Sequence, residues 1–563
     1  MPNLNGKAGG QNTYDAIVVG SGISGSFAAK ELCEKGFKVL LLERGKELVH
    51  PHYPNAFKNM WDFAHRGTLT REDKENHYIQ SRHYSYGEDN KDYYINDKEN
   101  PYAEVKRYDW IRANIVGGRS ILWARQCYRW SDIDFEANAK DGYGVDWPIR
   151  YKDIAPWYDY VESFVGISGS REGIATIPDG NFLPPFEMNC VEKDFRQKME
   201  SKFKDRKLII GRTANLTTSN KKNRGQCQAR NLCHRGCPYG AYYSSNSGAL
   251  PVALSTGNLS IRPHSLVNRV IYEENKQRAT GVEIIDTRTR QTEVFHARVI
   301  FLNAATLATT FILLNSVSAR FPDGLGNGSG QVGRNLMDHH KGIGVTADVE
   351  GFLDRYYYGR RPTGVYIPRF RNIDSQSPHF LRGYHFGGGA WRGTAENDAP
   401  VGAALKNSLS EPGHWQMGIY AYGEHLPYSE NKVVLDRNQK DSWGRPVLAI
   451  DCEFKENELK MVEDIKVTGQ EMLEAAGYKN IKVSGSISFP GNANHEMGTA
   501  RMGKDPKTSV LNAFNQMHEV PNVFITDGSC MTSGACVNPS VTYMALTARA
   551  CDYAITQLKK QHI

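Results

Sequence analysis

The sequence predicts a mixed α/β and α+β protein, a Rossmann-like dinucleotide-binding domain joined to a second domain built on a β-sheet. Three observations carry this reading. A glycine-rich turn between a strand and a helix opens the chain. A hydrophobic strand ending in Asp-Gly-Ser precedes a helix near the other end. The stretch between them shifts to strand-rich patterning. At 563 residues the chain exceeds one small core and points to two domains that interleave.

The first element is Asp15-Ala-Ile-Val-Val-Gly, a short buried strand. Gly20-Ser-Gly22-Ile-Ser-Gly25 follows at once, a helical pattern runs to about Lys35, and Lys38-Val-Leu-Leu-Leu-Glu43 reads as a second strand. A lone G-x-G-x-x-G carries little weight. Set between strand and helix, with an acid closing the next strand, it marks a dinucleotide site. Gly20 permits the tight turn, Gly22 lets backbone approach a pyrophosphate at the positive end of the helix, and Gly25 allows close helix–strand packing. Glu43 is placed to accept hydrogen bonds from both ribose hydroxyls of an adenosine, and Glu43-Arg44-Gly45 at this point favours FAD over NAD.

Residues 51–105 are rich in Tyr, His and charge; they read as a docked surface segment, with a lid of sugar-stacking aromatics as the alternative. Val299-Ile-Phe-Leu-Asn303 is the strand returning to the first sheet. Within 346–479, residues 415–422 and 432–437 read as strands and 457–476 as a helix, so this stretch is a β-rich domain. Near the C-terminus stand Asn494-His495-Glu-Met-Gly498-Thr-Ala-Arg501-Met-Gly503, then Asn522-Val-Phe-Ile-Thr-Asp527-Gly-Ser529, then Asn538-Pro539-Ser540 opening a helix to about Tyr553. Asp527 is placed to bind the ribityl hydroxyls of a flavin, and the helix starting near Pro539 presents its dipole to the flavin ring.

Composition narrows the class. Hydrophobic residues make up 40% and charged residues 23%, the balance of an ordinary globular protein. The net charge of +7 is spread without a block of like charges, which fits a solvated surface and gives no basis for nucleic-acid binding. The most apolar stretch, 299–314, is interrupted by Asn303, Thr306, Thr309 and Thr310 and is too short to span a bilayer. The first thirteen residues hold no hydrophobic signal core and no twin-arginine pair, so no export signal is expected on this chain, and the residues alone point to the cytoplasm.

Seven of the ten cysteines are scattered and read as small buried hydrophobes. Cys227, Cys233 and Cys237 crowd into eleven residues, in Gly225-Gln-Cys-Gln-Ala-Arg-Asn-Leu-Cys-His-Arg-Gly-Cys-Pro-Tyr-Gly-Ala241. Three thiolates on a glycine-containing loop favour an iron–sulfur centre or zinc. A cysteine followed by proline also ends ferredoxin cluster runs, and three local ligands without a fourth suit a three-iron cluster. His234 would complete a Cys3His zinc site, but it directly follows Cys233, which makes wrapping a single ion awkward.

Together these motifs resemble the glucose–methanol–choline (GMC) oxidoreductase family. The N-terminal fingerprint, the His495-x-x-Gly498-Thr-x-Arg501-Met-Gly503 stretch and Asn538-Pro539 match it in order and spacing. So do Val116-Gly117-Gly118-Arg119-Ser120 and Val332-Gly-Arg-Asn-Leu-Met-Asp338-His339, and the likeness runs from about Tyr14 to Tyr553. It implies a GMC-type FAD-binding domain assembled from 14–50, 106–135, 200–345 and 480–560, with a discontinuous β-sheet substrate or cap domain from 51–105, 136–199 and 346–479. Cofactor-binding positions implied are Gly20, Gly22, Gly25, Glu43, Arg44, Gly117, Gly118, Ser120, Val267, Asp527, Asn538 and Pro539. Arg262-Pro-His-Ser-Leu-Val267 is similar to the family segment whose backbone meets the adenine. Ala304-Ala305 departs from the family's Ala-Gly, which weakens the expected close backbone approach there.

The implied chemistry is alcohol oxidation, with His495 as general base, Asn538 orienting the substrate hydroxyl and hydride passing to the flavin N5. An alcohol is a poor hydride donor until its proton is leaving, and a neutral imidazole suits that task. Some pyranose oxidases of the family tether FAD through a histidine in Ser-Thr-His-Trp. The comparable run here is Ser120-Ile-Leu122-Trp123, and leucine cannot form that bond, so FAD is expected to be non-covalent.

The cysteine stretch is similar to one in the large subunits of bacterial sugar dehydrogenases, with glucoside 3-dehydrogenase nearest. That likeness implies a [3Fe-4S] cluster held by Cys227, Cys233 and Cys237, a sugar or glycoside substrate oxidised at C3, and a cytochrome c electron acceptor. It also implies a small partner subunit bearing the twin-arginine signal, and hence a periplasmic location by co-export. The rival expectation is an oxidase of the same fold that uses oxygen and has no functional cluster.

Overall fold

The computed structural model describes residues 12–219, 224–355, 361–374, 377, 379–394 and 401–563. Strand β1 (Thr13–Val19), helix α1 (Ile23–Glu34) and strand β2 (Val39–Leu42) form the opening unit. β2 is Val-Leu-Leu-Leu, buried throughout, as a central parallel strand covered on both faces must be. Gly20 turns the chain between β1 and α1 at φ +92°. A side chain on Gly25 would lie 1.8 Å from the Gly20 carbonyl oxygen, so only glycine lets α1 start this close to the turn.

The sheet is completed by strands from far along the chain: β3 (Leu259–Arg262), β4 (Ser265–Glu273), β5 (Arg278–Asp286), β6 (Thr292–Leu302) and β7 (Val523–Ile525). Their order is β3-β2-β1-β6-β5-β4, with β7 also on β6. β3, β2, β1, β6 and β7 run parallel, and β4–β5–β6 form an antiparallel meander. β6 is long enough to use one edge twice. Residues 292–296 pair with β5, and residues 300–302 pair with β7, while the opposite edge pairs with β1. Val19, Leu302 and Ile525 therefore end at one level.

Helices α2 (Thr306–Asn315) and α3 (Ser540–Lys559) follow β6 and β7. α3 packs on α1 through small residues, Ala28 and Ala29 against Ala550 and Ala554.

A second, antiparallel sheet has the order Lys479–Ser484, Gly344–Val349, Pro412–Gly423, Tyr384–Thr394, Val365–Ile367 and Ile209–Ile210. Helices Cys190–Lys202 and Glu456–Ala475 cover one face. The strands expected at 415–422 and 432–437 extend to Pro412–Gly423 and Lys432–Lys440, and the helix expected at 457–476 is Glu456–Ala475. Strand periodicity sorts the side chains. Met417, Ile419 and Ala421 pack under the helices with Tyr384 and Phe386, whereas Tyr422 and its cross-strand partner His385 stack on the opposite face.

The hairpin of Lys432–Lys440 and Pro446–Asp451 lies outside this sheet. It pairs with Ala103–Glu104 and packs on α2. Residues 51–105 form turns, three single-turn 3-10 helices, one brief α-helix, Arg71–Asn76, and the short strand Ala103–Glu104.

Buried histidines line the seam where the second sheet meets the first domain. His385 Nδ1 donates to the Cys536 carbonyl at 2.5 Å, His425 Nδ1 accepts from the Asp338 amide at 3.3 Å, and His340 Nε2 lies 3.1 Å from the Met461 sulfur. Burial holds all three rings neutral, bringing each down from 6.5 to about 3. Burial, together with nearby Glu496, pushes Asp338 the other way, up to about 7.

Two outcomes are expected. The unfolded chain binds protons on three histidines that the folded chain refuses, so the histidine contribution to stability is complete above about 6.5 and is lost progressively toward about 3. Asp338 offsets one of these protons between about 7 and 3.8, where the folded chain alone holds its proton. Calorimetry across this range is expected to show proton uptake on unfolding and a falling midpoint with acid; a flat profile overturns the account. Separately, Ala305 sits at φ +73°, ψ 154°, a region reserved almost wholly for glycine. Ala305→Gly is expected to raise stability by about 1 kcal/mol, read from the denaturation midpoint.

Candidate active site

The C-terminal ends of β1, β6 and β7 open into one long cavity. Gly20, Gly22, Glu43, Arg44, Gly118, Ser120, Val267, Asp527, Asn538, Pro539 and His495 all line it. Gly25 and Gly117 stand behind the wall. Gly117, at φ +95°, donates its amide to Ser21 Oγ at 2.8 Å, and a side chain there would strike Asn246.

At the first end, the Glu43 carboxylate accepts from the Ser21 amide and hydroxyl at 3.1 and 2.6 Å and from the Gly45 amide at 2.8 Å. These bonds fix its position at the end of β2. A Cβ on Gly22 would meet nothing within 4 Å, so the turn leaves open space beside the N-terminus of α1. Arg44 bonds Asn100 at 2.6 Å rather than a carboxylate, and burial beside Arg445 and Arg112 brings it to about 9, still charged at neutral pH.

At the centre, Asn303 follows β6. Its Oδ1 accepts from the Thr526 amide and hydroxyl at 3.2 and 2.8 Å, tying the end of β7 to the end of β6. Asp527 accepts from Ser529 through one oxygen and from Thr309 Oγ at 2.6 Å through the other, which joins α2 to the loop after β7. Ser120 Oγ donates to the Gly117 carbonyl and accepts from the Ser245 amide, so that hydroxyl is committed within the protein.

At the far end, the loop carrying His495 is gathered by the Asp338 carboxylate, which accepts from the amides of Gly491, Ala493 and His495 at 2.8, 3.1 and 3.0 Å. Arg119 grips the neighbouring Glu496 through two hydrogen bonds, 3.0 and 2.6 Å, and Glu496 is almost fully buried. Burial, with His339, Lys341, Arg119 and His385 close by, drives His495 well below its ordinary range and keeps its ring neutral. Tyr84 and Tyr422 line the same end. Pro539 caps α3, so the N-terminus of a twenty-residue helix faces the cavity beside Asn538.

The lining fits FAD. Asn303 Nδ2, Arg44 Nε and Asn538 Oδ1 are buried polar atoms without a hydrogen-bond partner in the protein, distributed along the cavity. A buried polar group is stable only with a partner, so this distribution matches an elongated ligand with polar groups along its length. The open face of Gly22 at a helix N-terminus matches a pyrophosphate. The sequence places Asn303 at a strand end and Asp338 in a family motif but gives neither of them, nor Glu496, a role, because those roles depend on contacts more than 150 positions away.

The three clustered cysteines line a second, smaller cavity with Arg125 and His234, and all are free thiols. Among the described residues, no three His, Cys, Asp or Glu side chains are set to hold a single metal ion. A three-iron cluster asks for a different arrangement, one thiolate on each of three irons around a common cavity. The wall between the two cavities is thin: Ala124 lines the first and Arg125 the second, and the Tyr84 ring of the first meets the His234 ring of the second at 5.6 Å.

Comparison with known proteins agrees with this geometry. Residues 14–341 and 427–547 match the N- and C-terminal family profiles described as GMC oxidoreductase. The chain is 28% identical to 2-methyl-1,2-propanediol dehydrogenase of Mycolicibacterium austroafricanum, covering 96% of this chain and 94% of that one. It is 26% identical to the fructose dehydrogenase large subunit of Gluconobacter japonicus, covering 97% and 98%. The structure of pyridoxine 4-oxidase from Mesorbium loti shares the fold, with a TM-score of 0.60 and 17% identity over 96% of this chain and 99% of that one. Both ends of the cavity and most of the chain between them thus carry one signature, and the chain belongs to the GMC oxidoreductases, flavin-dependent enzymes that act on the CH–OH groups of alcohols and sugars.

Proposed function

We propose that this chain oxidises a hydroxyl of a sugar or glycoside, with C3 the position to test first, and holds FAD non-covalently. The observation that carries the reading is that one long cavity is lined both by a neutral imidazole, His495, and by a side-chain amide with an unpartnered atom, Asn538. The Asn538 side-chain amide would hold the substrate oxygen by donating to it from Nδ2, and His495 would take the hydroxyl proton. FAD, when bound, would supply the two-electron acceptor for the carbinol C–H, while His495 would hold the hydroxyl proton, so that the alcohol would leave as a carbonyl. Tyr84 and Tyr422 offer aromatic faces for a pyranose ring. Relatives named for fructose and gluconate dehydrogenases support a polyhydroxylated substrate.

The same reading extends to the cysteine cavity. Cys227, Cys233 and Cys237 would hold a [3Fe-4S] cluster, which when bound supplies single-electron transfer toward a cytochrome c-type acceptor. The thin wall at Ala124 and Arg125 supports this. A small subunit carrying an export signal, and a periplasmic location, belong to the proposal. Among the described residues no helix is long and apolar enough to cross a membrane.

His495→Ala is expected to retain FAD while sugar-dependent bleaching of the flavin slows by about a hundredfold or more. Bleaching at the wild-type rate would sink the mechanism. Protein purified without oxygen is expected to contain about three irons per FAD with matching acid-labile sulfide. Cys233→Ser is expected to keep sugar-dependent bleaching and lose cytochrome c reduction. Absence of iron together with sugar-dependent oxygen consumption would replace the dehydrogenase reading with an oxidase.

A further inference from the structure

His339 bridges the two loops that carry His495 and Asn538. Its Nε2 lies 2.9 Å from the Ala535 carbonyl oxygen and 3.2 Å from that of Gly534. Its Nδ1 lies 2.8 Å from Nδ1 of His495. The two rings are nearly perpendicular, with an interplanar angle of 81°.

The proton positions follow from these partners. Carbonyl oxygens only accept, so His339 Nε2 carries a hydrogen and donates it. The ring is fully buried, and burial keeps it neutral, bringing it down to about 4. A neutral imidazole has one N–H, so His339 Nδ1 is a bare lone pair. Two nitrogens 2.8 Å apart share a hydrogen bond when one of them carries the proton, and here the proton must sit on His495 Nδ1. His495 then keeps its other nitrogen, Nε2, free as a base, and no hydrogen bond from the described residues engages that atom.

We propose that His339 is a positioning residue that fixes the tautomer and the ring plane of His495, so that Nε2 is the atom that receives the substrate proton. The carbonyls of Gly534 and Ala535 set the tautomer of His339, and His339 passes that choice to His495. The same contact ties the His495 loop to the loop leading into Asn538, so base and substrate holder are placed by one ring. Charged and titratable groups around His495 include Lys341, Arg119, His339, His385 and the ring of Tyr422. None of them accepts a hydrogen bond from Nδ1 except His339.

This inference rests on the reading of His495 as the base, and its test separates the two. In FAD-loaded protein labelled with 15N-histidine, with the His495 signal assigned by its loss in His495→Ala, wild type is expected to show a protonated Nδ1 and a bare Nε2. A protonated Nε2 would overturn the proposal whatever the activity of His495→Ala. His339→Leu removes the acceptor. The limiting rate of anaerobic flavin reduction by saturating sugar is expected to fall about a hundredfold or more, with little change in the substrate concentration giving half the rate. His339→Asn restores an acceptor oxygen and is expected to recover at least about tenfold of that loss. Equal loss in both variants, or a wild-type rate in His339→Leu, would show that the ring serves packing alone. Should His339→Leu fail to fold, the wild-type tautomer and the His339→Asn rate still decide.

Discussion

The structure depends on the two-fold use of one edge of strand β6. Had β5 followed the whole of that edge, β7 would have no place in the sheet, and the C-terminal third of the molecule would be left without a register. Because β5 stops at residue 292–296 pairing, the last three residues of β6 are free for β7. The consequence is that Gly20, Asn303 and Thr526 arrive together, each one residue beyond its strand, although more than 500 residues separate the first from the last. Parallel strands present their C-terminal ends to a common crevice, and that crevice is where an open α/β sheet binds its ligand. Asn303 then converts alignment into a joint by bonding Thr526 while its own carbonyl is packed against Gly20.

A second constraint fixes the far end of the cavity. Asp338 and His339 are neighbours in sequence with divided duties. The carboxylate gathers the backbone of the His495 loop through three amides, and the imidazole meets the His495 side chain. Both are buried, so neither arrangement is averaged by water, and both lie where the second sheet meets the first domain. Neutral histidines suit that seam because each offers one donor and one acceptor without the cost of burying a charge. The Arg119–Glu496 pair carries charge across the same region, and there the bidentate geometry offsets part of the desolvation.

Much of the first domain was legible because its signals are local. Gly20, Gly22 and Gly25 are demanded by one turn and one helix start, and Glu43 by the end of the next strand, so four residues within 24 positions describe half of a site. The period-2 alternation at 415–422 likewise announces a strand whose two faces differ. What could not be read depends on long-range partners. Nothing near Asn303 in sequence says that its side chain will meet Thr526. Asp338-His339 stood inside a recognised motif, yet its role needs the loops at 491–495 and 534–535 to be in place. Of the hairpin at 432–451 only residues 432–437 were legible as a strand, and not as part of a wall of the cofactor cavity, because strand propensity is silent about which sheet a strand joins. Ala305 shows the opposite case. The departure from glycine was visible in the sequence, and the backbone keeps the glycine conformation regardless, with the strain held by the Thr309 hydrogen bonds to Ala304 and Ala305 on either side.

The unpartnered polar atoms along the cavity bear on stability as much as on binding. Each buried donor or acceptor left without a partner costs about 1–3 kcal/mol, and Asn303, Arg44 and Asn538 each contribute one. The fold tolerates this because the sheet ends, the Asp338 bonds and the Arg119–Glu496 pair hold the cavity open independently of what fills it. A ligand that satisfies all three sites at once recovers that cost together, and anything that binds only the folded state stabilises it further by mass action. Cofactor affinity and fold stability are therefore coupled through the same few atoms. A long molecule with a polar group at each end and one in the middle gains more than fragments that reach only one end, because no fragment can satisfy Arg44 and Asn538 together. The discontinuous assembly of the domain reinforces the coupling: Arg44, Asn303 and Asn538 come from three separated stretches of chain, so a cofactor that touches all three also clamps together the strands that β6 aligns.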